Sequence, residues 1–170
     1  MDLKQYVRDV KDFPKQGIIF KDITPLLQDR VALQKATEGL ANLVGDMNID
    51  KVVGMESRGF IFAPLLAHRL NAGFVPVRKP GKLPHNKLSE SFILEYGTDI
   101  LEIHSDAINK GDKVLVHDDV LATGGTASAV AKLVARAGGE ITQFNFLLEL
   151  TFLNGRDKLA SWPVRSLLSY

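Results

Sequence analysis

From Lys51 onward the chain alternates between short apolar runs and longer stretches whose apolar residues recur every three to four positions. The segments "KVVGM" (51–55), "GFVPV" (73–77), "KVLVHDDV" (113–120) and "EITQFNFLLEL" (140–150) have the length and the β-branched or aromatic content of strands. Between them, "FIFAPLLAHRL" (60–70) and "TASAVAKLVARAG" (126–138) carry helical spacing. Pro64 sits close enough to the start of the first to be tolerated, and Gly138 with Gly139 closes the second. "SFILEY" (91–96) and "DILEIH" (99–104), joined by a tight Gly97-Thr98, predict a hairpin or ribbon.

Before Lys51 the pattern is less regular. Leu3, Val7 and Val10 lie at helical spacing and predict a short amphipathic helix. Pro14, Gly17 and Pro25 then forbid a long regular element. A second helix is expected from about Asp29 to Val44, with Val31, Leu33, Leu40, Leu43 and Val44 available for its buried face. No internal repeat or low-complexity segment interrupts the chain.

Strands alternating with helices predict an α/β domain with a mostly parallel central sheet flanked by helices. In such sheets ligands sit beyond the carboxyl ends of the strands. That directs attention to three loops, 56–59, 78–90 and 118–126.

At 170 residues the chain fits a single domain over 1–170. A net charge of +1 offers no bulk attraction for nucleic acid or membrane, so any charge that matters is local. Cysteine is absent, which excludes disulfides, thiolate metal sites and a cysteine nucleophile. The opening "MDLKQYVRDVKDFP" has no apolar signal core, and the most apolar stretch, 59–67, is far short of the roughly 20 residues a bilayer-spanning helix needs. The expectation is a soluble, cytoplasmic protein.

The most informative stretch is "VLVHDDVLATGGTASA" (114–129). Gly124 and Gly125 permit close backbone approach, the helix that follows aims unpaired N–H groups at the turn, and Thr123 and Thr126 add hydroxyl donors. Together they suit a terminal phosphate monoester. The ATP-type loop G-x-x-x-x-G-K-[ST] is absent, as is G-x-G-x-x-G. Asp118 and Asp119 would repel a phosphate in direct contact, but ionised carboxylates accept hydrogen bonds from a vicinal diol. A ribose 5-phosphate presents both groups, diol and phosphate. A plain strand cap followed by an ordinary tight turn is the alternative. A phospho-receiver domain is excluded, because the next strand ends in Glu149 and carries no phosphorylatable aspartate.

Four apolar residues, two acidic ones and a Thr-Gly-Gly-Thr turn (Thr123 to Thr126, with Ala122 before it) make this stretch similar to the phosphoribosyl-diphosphate (PRPP) binding motif of the type I phosphoribosyltransferases. His117 stands where that family commonly has an apolar residue, and reads as a tolerated strand residue. "DFPKQGIIFKDITPLL", "ESRGFIFAPLLA", "VPVRKPGKLP", "LEYGTDILEIHSDAI" and "LLELTFLNGRDKL" resemble, in order, segments of the family's adenine-specific branch.

The resemblance implies the type I phosphoribosyltransferase fold, with a small N-terminal helix and base-binding hood over 1–30, and a basic loop and β-ribbon lid over 78–104. It implies a purine-salvage enzyme, a pentosyl transferase that turns adenine and PRPP into AMP and pyrophosphate. Mg²⁺ would ride on PRPP and pyrophosphate oxygens with no direct protein cage, and the enzyme would be a homodimer.

By the same resemblance, Asp118, Asp119, Ala122, Thr123, Gly124, Gly125 and Thr126 hold the ribose 5-phosphate. Glu56, Ser57, Arg58, Lys79 and Lys82 hold pyrophosphate, with Arg78 beside them and Glu56–Ser57 as a candidate strained or cis peptide. Glu95 is the acid/base partner of the purine, and Tyr96 closes over the reacting centre; Arg58 completes the catalytic set. Ile19, Phe20 and Lys21 hold adenine, by backbone reading at Ile19 and stacking at Phe20. Lys21 replaces a frequent arginine, and Pro80 a frequent basic residue. Two alternatives stay open: a related transferase for a 6-oxopurine, and a PRPP-sensing regulator without chemistry.

Overall fold

In a computed structural model, which describes residues 1–93 and 97–170, the strand-forming runs assemble one five-stranded sheet and two separate two-stranded antiparallel ribbons. The chain forms two compact units, Met1–Gly39 and Leu40–Tyr170.

In the first unit, Leu3–Tyr6 makes a single 3₁₀ turn capped by the Asp2 carboxylate, which accepts from the Lys4 amide at 3.0 Å. Strand β1 (Arg8–Lys11) then pairs antiparallel with β2 (Ile19–Asp22). The amphipathic helix expected here therefore stops after one turn. Arg8–Lys11 carries a single apolar residue, Val10, so its own pattern overrides nothing, and the cross-strand partner Phe20, opposite Val10, decides for a strand. A short helix α1 (Thr24–Gln28) leads into α2 (Arg30–Asn42). The Asp29 carboxylate accepts from the amides of Val31 and Ala32 at 2.9 and 2.8 Å and so caps the start of α2. Ala32, Ala36 and Ala41 make much of the buried face of α2 small, with Leu40 buried among them, while Val31 is exposed.

The second unit runs β3 (Lys51–Met55), α3 (Gly59–Arg69), β4 (Gly73–Val77), β5 (Lys87–Ile93), β6 (Thr98–His104), β7 (Lys113–Leu121), α4 (Gly125–Ala137), β8 (Glu140–Glu149) and β9 (Val164–Ser169). The sheet order is β4-β3-β7-β8-β9, and every pairing is parallel. The parallel α/β expectation holds. Pro76, which cannot donate to a ladder, lies on the edge strand β4. β9, which the apolar pattern does not single out, forms the other edge.

The ribbon β5–β6 begins at Lys87, so the basic loop is four residues shorter than 78–90 suggests. A bridge between Arg78 and Glu102 ties the ribbon to the end of β4. Glu90 of β5 meets Lys132 and Arg136 of α4 at 3.1 and 3.3 Å.

One sheet face, with Val53, Val116, Phe144 and Phe146, buries against Val130, Leu133 and Val134 of α4 and against Leu101 and Ile103 of the ribbon. A fully buried residue such as Leu133 contributes roughly 1.5–3 kcal/mol relative to leaving it in water. On the other face α3 comes close to the sheet at Gly54. A Cβ on Gly54 would lie 2.7 Å from the Ala63 Cβ.

Candidate active site

The parallel order places the carboxyl ends of β3, β4 and β7 side by side, and the three loops marked in the sequence leave from them. After β7, Gly124 adopts a left-handed conformation (φ 76°) and α4 starts at Gly125 with no side-chain cap. The first N–H groups of α4 therefore face the turn, where the helix dipole favours an anion. Asp118, Val120 to Ala127 and Phe146 line a cavity of about 70 Å³ there. Ala122, Thr123, Gly124, Gly125 and Thr126 thus share one concavity with Asp118.

Asp119 is absent from that lining. It is buried, and its Oδ2 lies 2.7 Å from Arg58 Nε on the turn after β3. The contact is a close ion pair without the alignment of a hydrogen bond. Asp118 Oδ1 accepts from the Asp119 amide at 2.9 Å. Burial, reinforced by the Asp119 carboxylate, pushes Asp118 well above the usual carboxylate range. Burial also raises Asp119, and Arg58 opposes it. Gly59 opens α3 directly against this pair: a Cβ there would lie 2.9 Å from Asp118 Oδ1 and 3.2 Å from the His117 carbonyl.

Glu56 gathers the cations of the loop after β4. It accepts from Arg78 Nε at 3.3 Å, from the Lys79 amide at 2.8 Å and from Lys82 Nζ. Burial alone would raise its carboxyl, but Lys82, the Lys79 amide and Arg78 bring it down to about 2. The Lys79 ammonium pairs with Asp99 of the ribbon, and Arg78 also lies over the Phe60 ring at 5.9 Å. The Glu56–Ser57 peptide is cis. Glu102 accepts from Lys87 at 3.1 Å and from the Gly81 amide at 3.1 Å. Burial works against ionisation here too, yet these donors hold Glu102 below the usual range.

Ile19, Phe20 and Lys21 lie on β2 of the first unit. Ile19 is half exposed, Phe20 meets Phe13 edge to face at 5.2 Å, and Lys21 Nζ is 2.6 Å from Asp9 on β1. Glu95 and Tyr96 lie outside the described residues. His117 is fully buried. Its Nδ1 donates to Asn145 Oδ1 at 3.0 Å, because the Asn145 amide nitrogen is committed to the Leu40 carbonyl. Burial lowers its pKa to about 4, against the small opposing effect of Asn145. A neutral imidazole inside the sheet fits the strand role expected for it.

The sequence reading did not anticipate Gly155, or the Glu149–Arg156 pair beside it. Arg156 Nε and Nη2 each meet a carboxylate oxygen of Glu149 at 2.6 Å. All three residues lie in "LLELTFLNGRDKL" (147–159), a segment that carries the family resemblance but assigns none of them a role.

A parallel sheet, a glycine turn opening a helix and an acidic pair on the same strand define a transferase of the phosphoribosyl class. Residues 23–155 match the model of the phosphoribosyl transferase domain. The adenine phosphoribosyltransferase of Christiangramia forsetii is 61% identical over 170 residues, all of this chain and 99% of that one. The crystal structure of the Rhodothermus marinus adenine phosphoribosyltransferase superposes with a TM-score of 0.94 at 57% identity, covering 99% of this chain and 96% of that one. The Saccharomyces cerevisiae adenine phosphoribosyltransferase, complexed with an imino-altritol bisphosphate and adenine, gives 0.92 at 41% identity over 97% and 96% of the two chains. The chain belongs to the adenine phosphoribosyltransferase family.

Proposed function

We propose that this chain transfers the 5-phosphoribosyl group of PRPP to adenine, releasing pyrophosphate and forming AMP in purine salvage. The observation that carries the reading is the single concavity formed by Asp118, the 122–126 turn and the open start of α4. It offers phosphate donors and a diol acceptor in one cavity. The yeast relative's complex with adenine and a bisphosphate supports the choice of substrates.

In the reaction the bond from ribose C1 to the diphosphate breaks while a purine nitrogen bonds to C1 and gives up its proton. Positive charge develops on the sugar and negative charge on the leaving group, so prearranged charges lower the barrier. Asp118 and Asp119 take the diol, and Ala122, Thr123, Gly124, Gly125 and Thr126 take the 5-phosphate. Arg58, Lys79 and Lys82 neutralise the diphosphate beside Glu56 and Ser57. The lysines exchange their carboxylate partners for it. Ile19, Phe20 and Lys21 take the purine, by backbone reading at Ile19 and stacking at Phe20. Glu95 handles the purine proton and Tyr96 covers the reacting carbon.

No group of three or more histidine, aspartate or glutamate side chains among the described residues could hold a metal ion. An Mg²⁺ would draw most of its ligands from substrate oxygens, as its preference for oxygen and retained water allows. When bound, it supplies charge neutralisation to the departing diphosphate. No helix among the described residues is long and apolar enough to cross a membrane. We assign the chain to the cytoplasm, because PRPP is a polyanion that does not cross bilayers unaided, and take it as a homodimer on its family resemblance alone.

The test is incubation with PRPP, Mg²⁺ and each of adenine, hypoxanthine, guanine and xanthine, following nucleotide and pyrophosphate. AMP from adenine alone is expected. Turnover of a 6-oxopurine in its place overturns the base assignment. Absence of pyrophosphate release with every base overturns the transferase reading and leaves a PRPP sensor.

A further inference from the structure

The turn after β8 presses on the phosphate loop backbone to backbone. A Cβ on Gly124 would lie 2.4 Å from the Gly155 carbonyl oxygen, and a Cβ on Gly155 would lie 2.2 Å from the Ala122 carbonyl oxygen and 3.0 Å from Leu121 Cδ1. Neither position has room for a side chain. Gly155 is buried although its neighbours Asn154 and Arg156 are exposed. The left-handed Gly124 that opens α4 therefore rests on the peptide of Gly155, as a wall behind the loop.

That wall is itself held. Glu149 ends β8 directly opposite Leu121, the last residue of β7. Its buried carboxylate takes both forks of Arg156, plus the Ser166 hydroxyl at 2.9 Å. Arg156 Nη1 also donates to the Val164 carbonyl at 2.9 Å, which joins the turn to β9. The Leu150 amide donates to the Leu121 carbonyl at 2.9 Å. A planar guanidinium gripping a carboxylate at two points fixes orientation as well as distance. The residue after Gly155 is thereby locked to the strand beside the phosphate loop.

We infer that Gly155 and the Glu149–Arg156 pair are positioning residues for the sugar phosphate, setting the backbone of the 122–126 turn from behind without touching substrate. The inference rests on the assignment of the 5-phosphate to that turn. Preorganised N–H donors lose their value when displaced by even a fraction of an ångström. The penalty should therefore appear in PRPP recognition and leave adenine recognition alone.

The variants are Gly155→Ala, Arg156→Met and Arg156→Lys, each assayed for kcat and for KM of both substrates. Competition by ribose 5-phosphate and thermal melting complete the set. Gly155→Ala is expected to raise the PRPP KM and the ribose 5-phosphate Ki about tenfold or more, with the adenine KM within about twofold of the parent. Arg156→Met should do the same to a smaller extent, and Arg156→Lys should recover part of the loss. If Gly155→Ala does not fold, the two Arg156 variants decide. Folded variants that lose melting temperature or kcat while the PRPP KM and ribose 5-phosphate Ki stay at parental values overturn the inference. Absence of AMP formation by the parent chain removes the functional reading beneath it, a result distinct from the first.

Discussion

Arg58 Nε stands 2.7 Å from Asp119 Oδ2, joining the turn after β3 to the acidic pair of β7. The Asp119 side chain is 5% exposed and that of Arg58 37%, so removing the arginine strands a buried charge. Arg58→Ala is expected to lower kcat/KM for PRPP by about a hundredfold or more. A double-mutant cycle of Arg58→Ala and Asp119→Asn, read by urea denaturation, should give a coupling of about 1 kcal/mol or more, reduced from a fully buried pair by the arginine's exposure. Zero coupling would show that the pair does not form in solution.

Glu56 carries a pH signature. Its carboxyl titrates near 2 in the folded protein against 4.5 as an isolated side chain. The unfolded chain takes up this proton first as pH falls, so the contribution of Glu56 is present above about pH 4.5 and fades as pH drops towards 2. Glu56→Gln should be less stable than the parent at pH 6, with the gap narrowing between pH 4.5 and 2. Chemical denaturation at pH 6, 4 and 3 measures it.

His117 works the same way in a higher window. Its folded pKa is about 4 against an ordinary 6.5, so below pH 6.5 the unfolded chain binds the proton that the folded one refuses. The stabilisation present above pH 6.5 is lost as pH falls through 4, by about 3 kcal/mol at the usual 1.4 kcal/mol per pKa unit. His117→Val should remove this part of the acid sensitivity, seen as a flatter difference in unfolding free energy between pH 7 and 4.5. A variant as acid-sensitive as the parent would assign the titration to another group.

Gly59 leaves no space for a methyl beside Asp118. Gly59→Ala should push the start of α3 away from β7, at a cost of about 1–3 kcal/mol. It should also weaken PRPP binding, because Arg58 and the acidic pair move apart. Thermal melting and the PRPP KM report the two effects together, and a variant unchanged in both would show that the neighbouring backbone yields freely.

Much of this architecture was legible because it is written in contiguous segments. Alternating apolar runs named the strands β3, β4, β7 and β8, and Gly138 marked the end of α4 where its positive φ of 95° now sits. At the N-terminus the four-and-three spacing of Leu3, Val7 and Val10 favours a helix, and only pairing with the facing strand β2 overrides that local pattern. β9 escaped notice because "VRSLLS" (164–169) is short and mixed, and it becomes a strand by pairing with β8.

The sequence by itself determined the 122–126 turn, since an acidic pair, two glycines and the start of a helix are neighbours along the chain and their geometry follows from local backbone rules. Tertiary structure alone decided that Arg58 meets Asp119, that Glu56 gathers Arg78 and Lys82, and that Gly155 backs Gly124. Those partners lie 22 to 61 residues apart. They meet only because β3 lies between β4 and β7 while β8 lies on the far side of β7, an order set by packing the whole sheet and invisible in any single segment.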